Sequence, residues 1–283
     1  MSSIFPPPVL IPIARGLAHL AWAFYPRIKK IAVRNLELAY GDSLSVGERR
    51  RIAKQSAMNV AMTALEFIYF MHWTPERVKA TVVETEGWDL LTGALAQNKG
   101  VIGLAMHYGN WEVSGAFLTL SGVGLAAVGK RQRDDFFTNL AFPTRTKLGI
   151  ENIPKGGQTS LILRALRQNK VLGLLADQNG GMDGAYVPFF GLAASTVRGP
   201  AALHLKLGAP MLLIVAKRIR PFRFRQIVRE VKCDVAKDDP EAEEKVLAAM
   251  NDAYEKVIRE DPTQWLWIHT RWRTRPPGEP LLY

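Results

Sequence analysis

Of the five histidines, His19, His72, His107, His204 and His269, only His107 sits where chemistry can be built around it. It opens the run His107, Tyr108, Gly109, Asn110, Trp111, Glu112, directly behind a short apolar stretch ending at Met106. Gly109 and Asn110 signal a turn, Asn110 suits the N-cap of a following helix, and Glu112 would fall in its first turn. On one regular helix, side chains five apart point about 140° away from each other. A strand–turn–helix path can instead fold Glu112 back toward the imidazole. A carboxylate on one ring nitrogen fixes the tautomer and leaves the other nitrogen free to take a proton from a hydroxyl. The same residues also fit a plainer use, with the histidine closing a strand and the glutamate capping a helix.

Other polar groups could join that site. Lys130, Arg131 and Arg133 follow the next strand end, where an anionic substrate group would be received, although a solvated basic face has the same pattern. Asp177, after the Leu172–Leu175 run, belongs to the same sheet edge or else simply forms a turn. Further basic groups run from Lys217 to Arg225 and from Arg271 to Arg275. Several common chemistries lack their motifs. The glycine run at 122–124 has a helix before it and a strand after it, the reverse of a dinucleotide site. Gly156-Gly157 and Gly180-Gly181 lack the Lys-Ser/Thr of a phosphate loop, and no Gly-x-Ser-x-Gly elbow occurs. No HExxH is present, and no second His or Cys lies at ligand spacing, so no metal site is expected.

The elements that must position these residues follow from periodicity. Residues 100–106, 125–128, 171–175, 211–216, 222–230 and 265–269 read as strands, with a shorter one near Ile153. Helices are predicted at 43–73, 88–97, 111–120, 136–148, 160–169, 199–207 and 241–259. Ser45 with Glu48 forms a capping box for the first of them, and Ile52, Leu65, Ile68 and Tyr69 share its inward face. Residues 177–195 read as a loop. Alternating strands and helices predict a single α/β domain with a largely parallel sheet. In such sheets ligands gather at the C-terminal ends of the strands, where His107 falls.

The chain has 283 residues, 48% of them hydrophobic and 22% charged, enough to bury a full core. One cysteine, Cys233, excludes a disulfide framework and a cysteine-based metal cluster. The formal net charge of +11 favours a polyanionic partner. No nucleic-acid module is visible and the basic residues lie on separate elements, so nucleic acid is not expected. Near the N-terminus Pro6, Pro7, Pro8 and Pro12 argue against a straight spanning helix. Ile13, Leu17, Leu20 and Phe24 recur at helical spacing, and Arg27, Lys29, Lys30 and Arg34 follow. That is the pattern of a helix lying in an anionic membrane surface, and it also fits a helix packed on its own domain. The division expected is a membrane-associating segment over 1–35 and the main domain over 36–283.

His107 through Glu112 resembles the HxxxxE signature of the bacterial lipid A late acyltransferases, the lauroyl/myristoyl transferases. Further blocks agree in order: Arg34–Leu38, Gly129–Asp134, Asp177–Asn179, Val187–Gly191, Gly208–Pro210, Gln264–His269 and Arg271–Gly278. Some residues depart from the pattern. Asn179 stands where the family often has a second Asp, Lys130 where it has Arg, and Val197-Arg198 where Thr-rich sequence is usual. The resemblance implies a glycerolipid-acyltransferase-like fold, a mixed, mostly parallel sheet flanked by helices. It implies transfer of a fatty acyl chain to a glycolipid hydroxyl, from acyl carrier protein or a coenzyme A thioester as co-substrate, with no resident cofactor. The acceptor would be an anionic glycolipid in lipid A assembly, or a related one such as a phosphatidylinositol mannoside. The protein would work at the cytoplasmic face of the bacterial inner membrane. His107 would be the base and Glu112 its orienting partner. Lys130, Arg131 and Arg133 would hold acceptor phosphate with Asp177 in support, Arg198 would add an anion contact, and Phe189 and Phe190 would wall the acyl groove.

Overall fold

The computed structural model describes residues 6–129, 136–154, 156, 159–233, 235–236 and 238–283. Two helices open it, α1 (Pro7–Phe24) and α2 (Pro26–Tyr40), followed by the long α3 (Val46–His72) and the short α4 (Pro75–Lys79). The capping box at Ser45 and Glu48 forms as predicted. Ile52, Leu65 and Tyr69 face inward, whereas Ile68 is 44% exposed, so the inward stripe is narrower than its spacing suggests. The α/β body then runs β1 (Val82–Glu86), α5 (Trp88–Leu95), β2 (Val101–Ala105), α6 (Trp111–Leu120), β3 (Leu125–Gly129), α7 (Phe136–Lys147), β4 (Glu151–Pro154), α8 (Thr159–Arg167) and β5 (Val171–Leu175). After it come β6 (Ala185–Phe189), β7 (Leu192–Thr196), α9 (Gly199–Leu207), β8 (Met211–Arg220), β9 (Arg223–Glu230) and α10 (Ala242–Glu260).

Seven strands form one sheet in the order β1-β9-β8-β2-β5-β3-β4. Only the β8–β9 pair is antiparallel, so the mixed, mostly parallel sheet is as expected. Period-2 alternation sends successive residues to opposite faces, and helices cover both. Met211, Leu213 and Val215 join Ile102, Leu104 and Ile227 against α2, α9 and α10. Leu212 and Ile214 join Val101, Leu125, Val171 and Val228 against α5 and α6. The body is one domain. Helix α2 runs unbroken through residue 35 and buries Ala32, Asn35, Leu36 and Ala39.

Three expectations are corrected. The 177–195 loop contains the hairpin β6–β7, turned by Phe190 and Gly191, both at positive φ. No Asn-Gly announces that turn. Phe190 is held there by its packing against Tyr40 and Trp267 and by its N–H, which donates to Glu255 at 2.6 Å. The 265–269 stretch is not a strand. Its carbonyls go to side chains instead: Ser56 donates to Trp265, and Asn35 donates to Trp267 and His269. An apolar run thus reads as a strand because it is buried, while its backbone is paired in another way. Finally, β1 was not anticipated, being a largely exposed edge strand without an alternating signal.

Candidate active site

His107 lies two residues beyond β2, and Asp177 two residues beyond its neighbour β5. The parallel register pairs Ala105 with Leu175, which carries the two polar residues out level with one another. The His107 Nδ1 lies 2.8 Å from Asp177 Oδ1, and the His107 backbone N–H donates to Oδ2 at 2.8 Å. Trp265 Nε1 donates to Oδ2 at 2.9 Å. The Asp177 carboxylate is fully buried, while the imidazole keeps 19% of its side-chain exposure. Among the described residues Nε2 of His107 has no hydrogen-bond partner, and Trp111 packs against the ring at 5.0 Å.

This geometry corrects the expected partner. The carboxylate on the imidazole belongs to Asp177, seventy residues away in sequence. Glu112 is turned instead to Arg145 on α7, which donates through Nε to Oε2 at 2.9 Å and through Nη2 to Oε1 at 2.5 Å. Trp111 Nε1 adds a third bond at 3.1 Å. The reason lies in the cap: Asn110 accepts from the N–H groups of Glu112 and Val113, which starts α6 at Trp111 and aims Glu112 off the helix side.

Burial alone would depress the His107 pKa. The charge and hydrogen bond of Asp177, with a contribution from the charge of Glu112, outweigh burial and raise it. Burial likewise works against ionised Asp177. The imidazole's charge and the bonds from His107 and Trp265 outweigh it and hold the carboxyl below its usual range. Asp177 is therefore the anion, and His107 donates Nδ1–H to it while keeping Nε2 open as a base. His269 lies in the same surroundings. Its Nε2 accepts from the Asn179 N–H at 3.1 Å, and burial, reinforced by the charges of His107 and Arg271, pushes its pKa down.

The turn between His107 and α6 is clamped from behind. Glu66 and Arg218 form a fully enclosed pair, with Nη2 to Oε2 at 2.7 Å and Nε to Oε1 at 3.0 Å. Glu66 also accepts from Asn110 Nδ2 at 2.8 Å and from the Phe222 N–H at 3.1 Å. Thr63 donates to the Gly109 carbonyl at 2.8 Å. Gly109 adopts φ +57°, and a Cβ there would lie 2.0 Å from the Ala216 carbonyl oxygen, so only glycine fits. Sequence reasoning missed this clamp entirely. A lone Glu in the middle of a helix, 152 residues from its arginine, carries no local signal.

The remaining expectations divide. Phe189 and Phe190 are buried in the core, packed against Trp265, Trp272, Trp267 and Tyr40. An apolar cavity lies between α6 and the sheet face. Glu112, Trp111 and Arg145 stand at its polar part, and Gly115, Leu118, Leu125, Ile150, Gly173 and Ile214 line the rest, about 590 Å³ of empty space including its opening. Arg198 is not a free cation, because Glu243 holds it in a bidentate pair. Lys130, Arg131 and Arg133 lie outside the described residues. Among the described residues no group of His, Cys, Asp and Glu could hold a metal ion.

An imidazole with one nitrogen on a buried carboxylate and the other open is an arrangement that can act as a general base, and an apolar cavity lies nearby between α6 and the sheet face. Comparison with known proteins narrows this chemistry. The bacterial lipid A biosynthesis acyltransferase family matches residues 1–274, so the chain belongs to that family and is an acyltransferase. It is 29% identical to the Lipid A biosynthesis palmitoleoyltransferase of Escherichia coli, across 98% of this chain and 89% of the relative. It is 27% identical to the Lipid A biosynthesis lauroyltransferase of the same organism, across 98% and 90%. A Phosphatidylinositol mannoside acyltransferase of Mycobacterium tuberculosis is 31% identical over 44% of this chain and 41% of its own length.

Proposed function

We propose that this enzyme moves a fatty acyl chain from a thioester donor, acyl carrier protein or coenzyme A, to a hydroxyl of a lipid A precursor. The observation that carries the reading is the His107–Asp177 pair, with its open Nε2, beside an apolar cavity. In the reaction Nε2 takes the proton of the acceptor hydroxyl as its oxygen attacks the thioester carbonyl. The tetrahedral intermediate collapses with loss of the thiolate, which recovers the proton from the imidazolium. Asp177 holds the ring tautomer and stabilises the imidazolium between those two steps. The Glu112–Arg145 pair keeps the wall between site and cavity in shape, and the acyl chain occupies the cavity. No resident cofactor or metal is required. The acceptor's phosphate charge is met by the basic block of Lys130, Arg131 and Arg133, which follows β3 in the sequence.

The outward face of α1 supports work at a membrane surface. Val9, Ile13, Leu17, Leu20 and Phe24 are 45–76% exposed and fall within about 80° of arc on one side of the helix. No helix among the described residues is long and apolar enough to cross a membrane. Lying on the cytoplasmic face of the inner membrane suits a helix followed by a basic cluster. A lipid A acceptor is favoured over a phosphatidylinositol mannoside because the lipid A relatives match nearly the whole chain.

The test is mass spectrometry of lipid A precursor incubated with purified enzyme and each acyl donor. A product one acyl group heavier, absent with His107→Ala, is the expected result. Donor thioester lost without an acylated lipid would mean hydrolysis and would overturn the reading.

A further inference from the structure

An open groove lies apart from the catalytic cavity, between the start of α1, the end of α3 and the β8–β9 turn. It encloses about 880 Å³ of empty space, counting the part open to solvent. Its floor is aromatic: Trp73 and Phe222 pack with ring centroids 5.1 Å apart. Three guanidinium groups rim it, from Arg77, Arg220 and Arg223. Arg77 lies over the Trp73 ring at 4.0 Å, and Arg223 donates through Nη1 to the Phe222 carbonyl at 2.9 Å.

The rest of the hairpin shows what is unusual here. Arg218 is paired with Glu66, Arg225 with Glu84, and Arg229 with both Glu86 and Glu260. Arg77, Arg220 and Arg223 have no carboxylate partner among the described residues. The fold thus neutralises the neighbouring arginines and leaves uncompensated those that surround the groove. Guanidinium groups suit phosphate oxygens, which they can bind through two parallel N–H bonds.

Position identifies the source of the phosphate. Pro7, Pro8 and Ile11 of α1 form one wall of the groove, on the side of that helix turned away from its exposed apolar row, so the groove lies about one helix diameter above the row. It also lies at the catalytic edge of the sheet. Gly109 bridges to Ala216, and Arg220 is four residues further along β8, about 13 Å beyond. An interfacial helix buries its apolar row just below the level of the lipid phosphates.

We propose that this groove binds the phosphate headgroup of an anionic membrane phospholipid, separately from the acceptor, and so turns the catalytic edge toward the bilayer. The inference rests on the membrane-surface part of the proposed function and not on the transfer chemistry.

Flotation of the full chain with phosphatidylcholine vesicles, with and without phosphatidylglycerol, tests it. The variant Arg77→Gln/Arg220→Gln/Arg223→Gln is compared with a charge-matched control, Lys99→Gln/Arg167→Gln/Lys206→Gln. The control residues are exposed and stand just before β2, β5 and β8, at the opposite edge of the sheet. Wild type is expected to prefer the phosphatidylglycerol vesicles, and the groove variant to lose about 10²-fold of that affinity. The control should keep the preference, because its charges lie beyond the screening length from the bilayer. An Arg→Lys triple at the groove should retain most of it and shows that the site tolerates substitution. Preference unchanged in the groove variant, or lost equally in the control, overturns the proposal. So does a groove variant that floats normally but loses turnover only with acyl carrier protein as donor, which would make the groove a docking face for that acidic protein. Ile13→Glu/Leu17→Glu should abolish binding to both vesicles. If it floats like wild type, the membrane-surface reading itself fails. His107→Ala should float like wild type whatever the chemistry.

Discussion

Two glutamate–arginine pairs bracket the same short segment, and they are built differently. Glu66 and Arg218 have side chains 0% and 5% exposed, and the five hydrogen bonds that Glu66 accepts all come from the frame: Arg218 on β8, Asn110 in the turn and Phe222 in the hairpin. Glu112 and Arg145 are 4% and 16% exposed, link α6 to α7, and border an empty cavity. The first pair fixes where the turn after β2 sits. The second shapes one wall of the space in which the substrate chain would lie. The same two residue types therefore serve as clamp or as lining, according to whether packed protein or open space surrounds them. Removing one partner of a fully buried pair leaves an uncompensated charge, and that penalty is larger the less water can reach it.

The largest expected effect follows directly. Glu66→Ala should cost about 3–5 kcal/mol of stability, seen as a large fall in the denaturation midpoint. Glu112→Ala should cost clearly less, since Arg145 can turn toward the cavity and solvent. Equal losses would show that the two pairs do the same job. Next in size is the chemistry. His107→Ala should lower kcat by about 10²–10⁴-fold in a donor-turnover assay without moving the melting temperature comparably. Asp177→Asn should lower it by less and should also move the pH profile. In the proposed mechanism the base is neutral imidazole, so activity rises with pH through the raised His107 pKa. Removing the Asp177 charge removes the main influence that raises that pKa, so the rising limb shifts to lower pH. Glu112→Gln should shift it the same way by a smaller amount, since Glu112 acts on His107 only through its charge. A shift in the other direction would contradict the assignment of Asp177 as the anion.

A more selective change tests the lining. Gly115 on α6 faces the cavity, and a Cβ there would approach Leu125 Cδ2 at 3.2 Å and Ile150 Cδ1 at 3.4 Å, both ends of flexible side chains. Gly115→Leu should therefore fold, fill part of the cavity and shift preference toward shorter acyl donors. Competition between donors of different chain length reads this out. An unchanged preference would place the chain elsewhere.

How much of this was legible in the sequence depends on the distance over which each signal acts. The capping box at Ser45, the cap at Asn110, the four central strands β2, β3, β5 and β8 and the histidine behind β2 are written in a few adjacent residues, and the structure agrees with each. The carboxylate partner of His107 was misassigned because Glu112 is near in sequence while Asp177 is near in space. Only the β2–β5 register, which no local pattern reports, carries Asp177 across. The burial of Phe189 and Phe190 among distant tryptophans was illegible for a related reason: a paired aromatic motif does not say what its hairpin packs against. Trp265 was read as part of a strand, yet it donates to Asp177 from an irregular segment whose carbonyls are held by Asn35 and Ser56. In each case the missing information was which distant element lies alongside.

The smallest expected effect separates stability from positioning in the comparison itself. Ser45 and Glu66 lie on the same helix, one at its exposed N-terminus and the other behind the active-site turn. Ser45→Ala removes the bond from the Glu48 N–H to the cap side chain and should cost about 1 kcal/mol. The helix would fray at its first turn, 21 residues before Glu66, so kcat and the pH limb of the folded protein should be unchanged. Glu66→Gln keeps the side chain's size and one accepting oxygen but removes the charge opposite Arg218. It should weaken the hold on Asn110 and lower kcat even at a temperature where the variant is fully folded. If Ser45→Ala lowered kcat as much as Glu66→Gln at matched stability, any loosening of α3 would reach the site. The Glu66–Arg218 pair would then have no special part in holding the turn that carries His107.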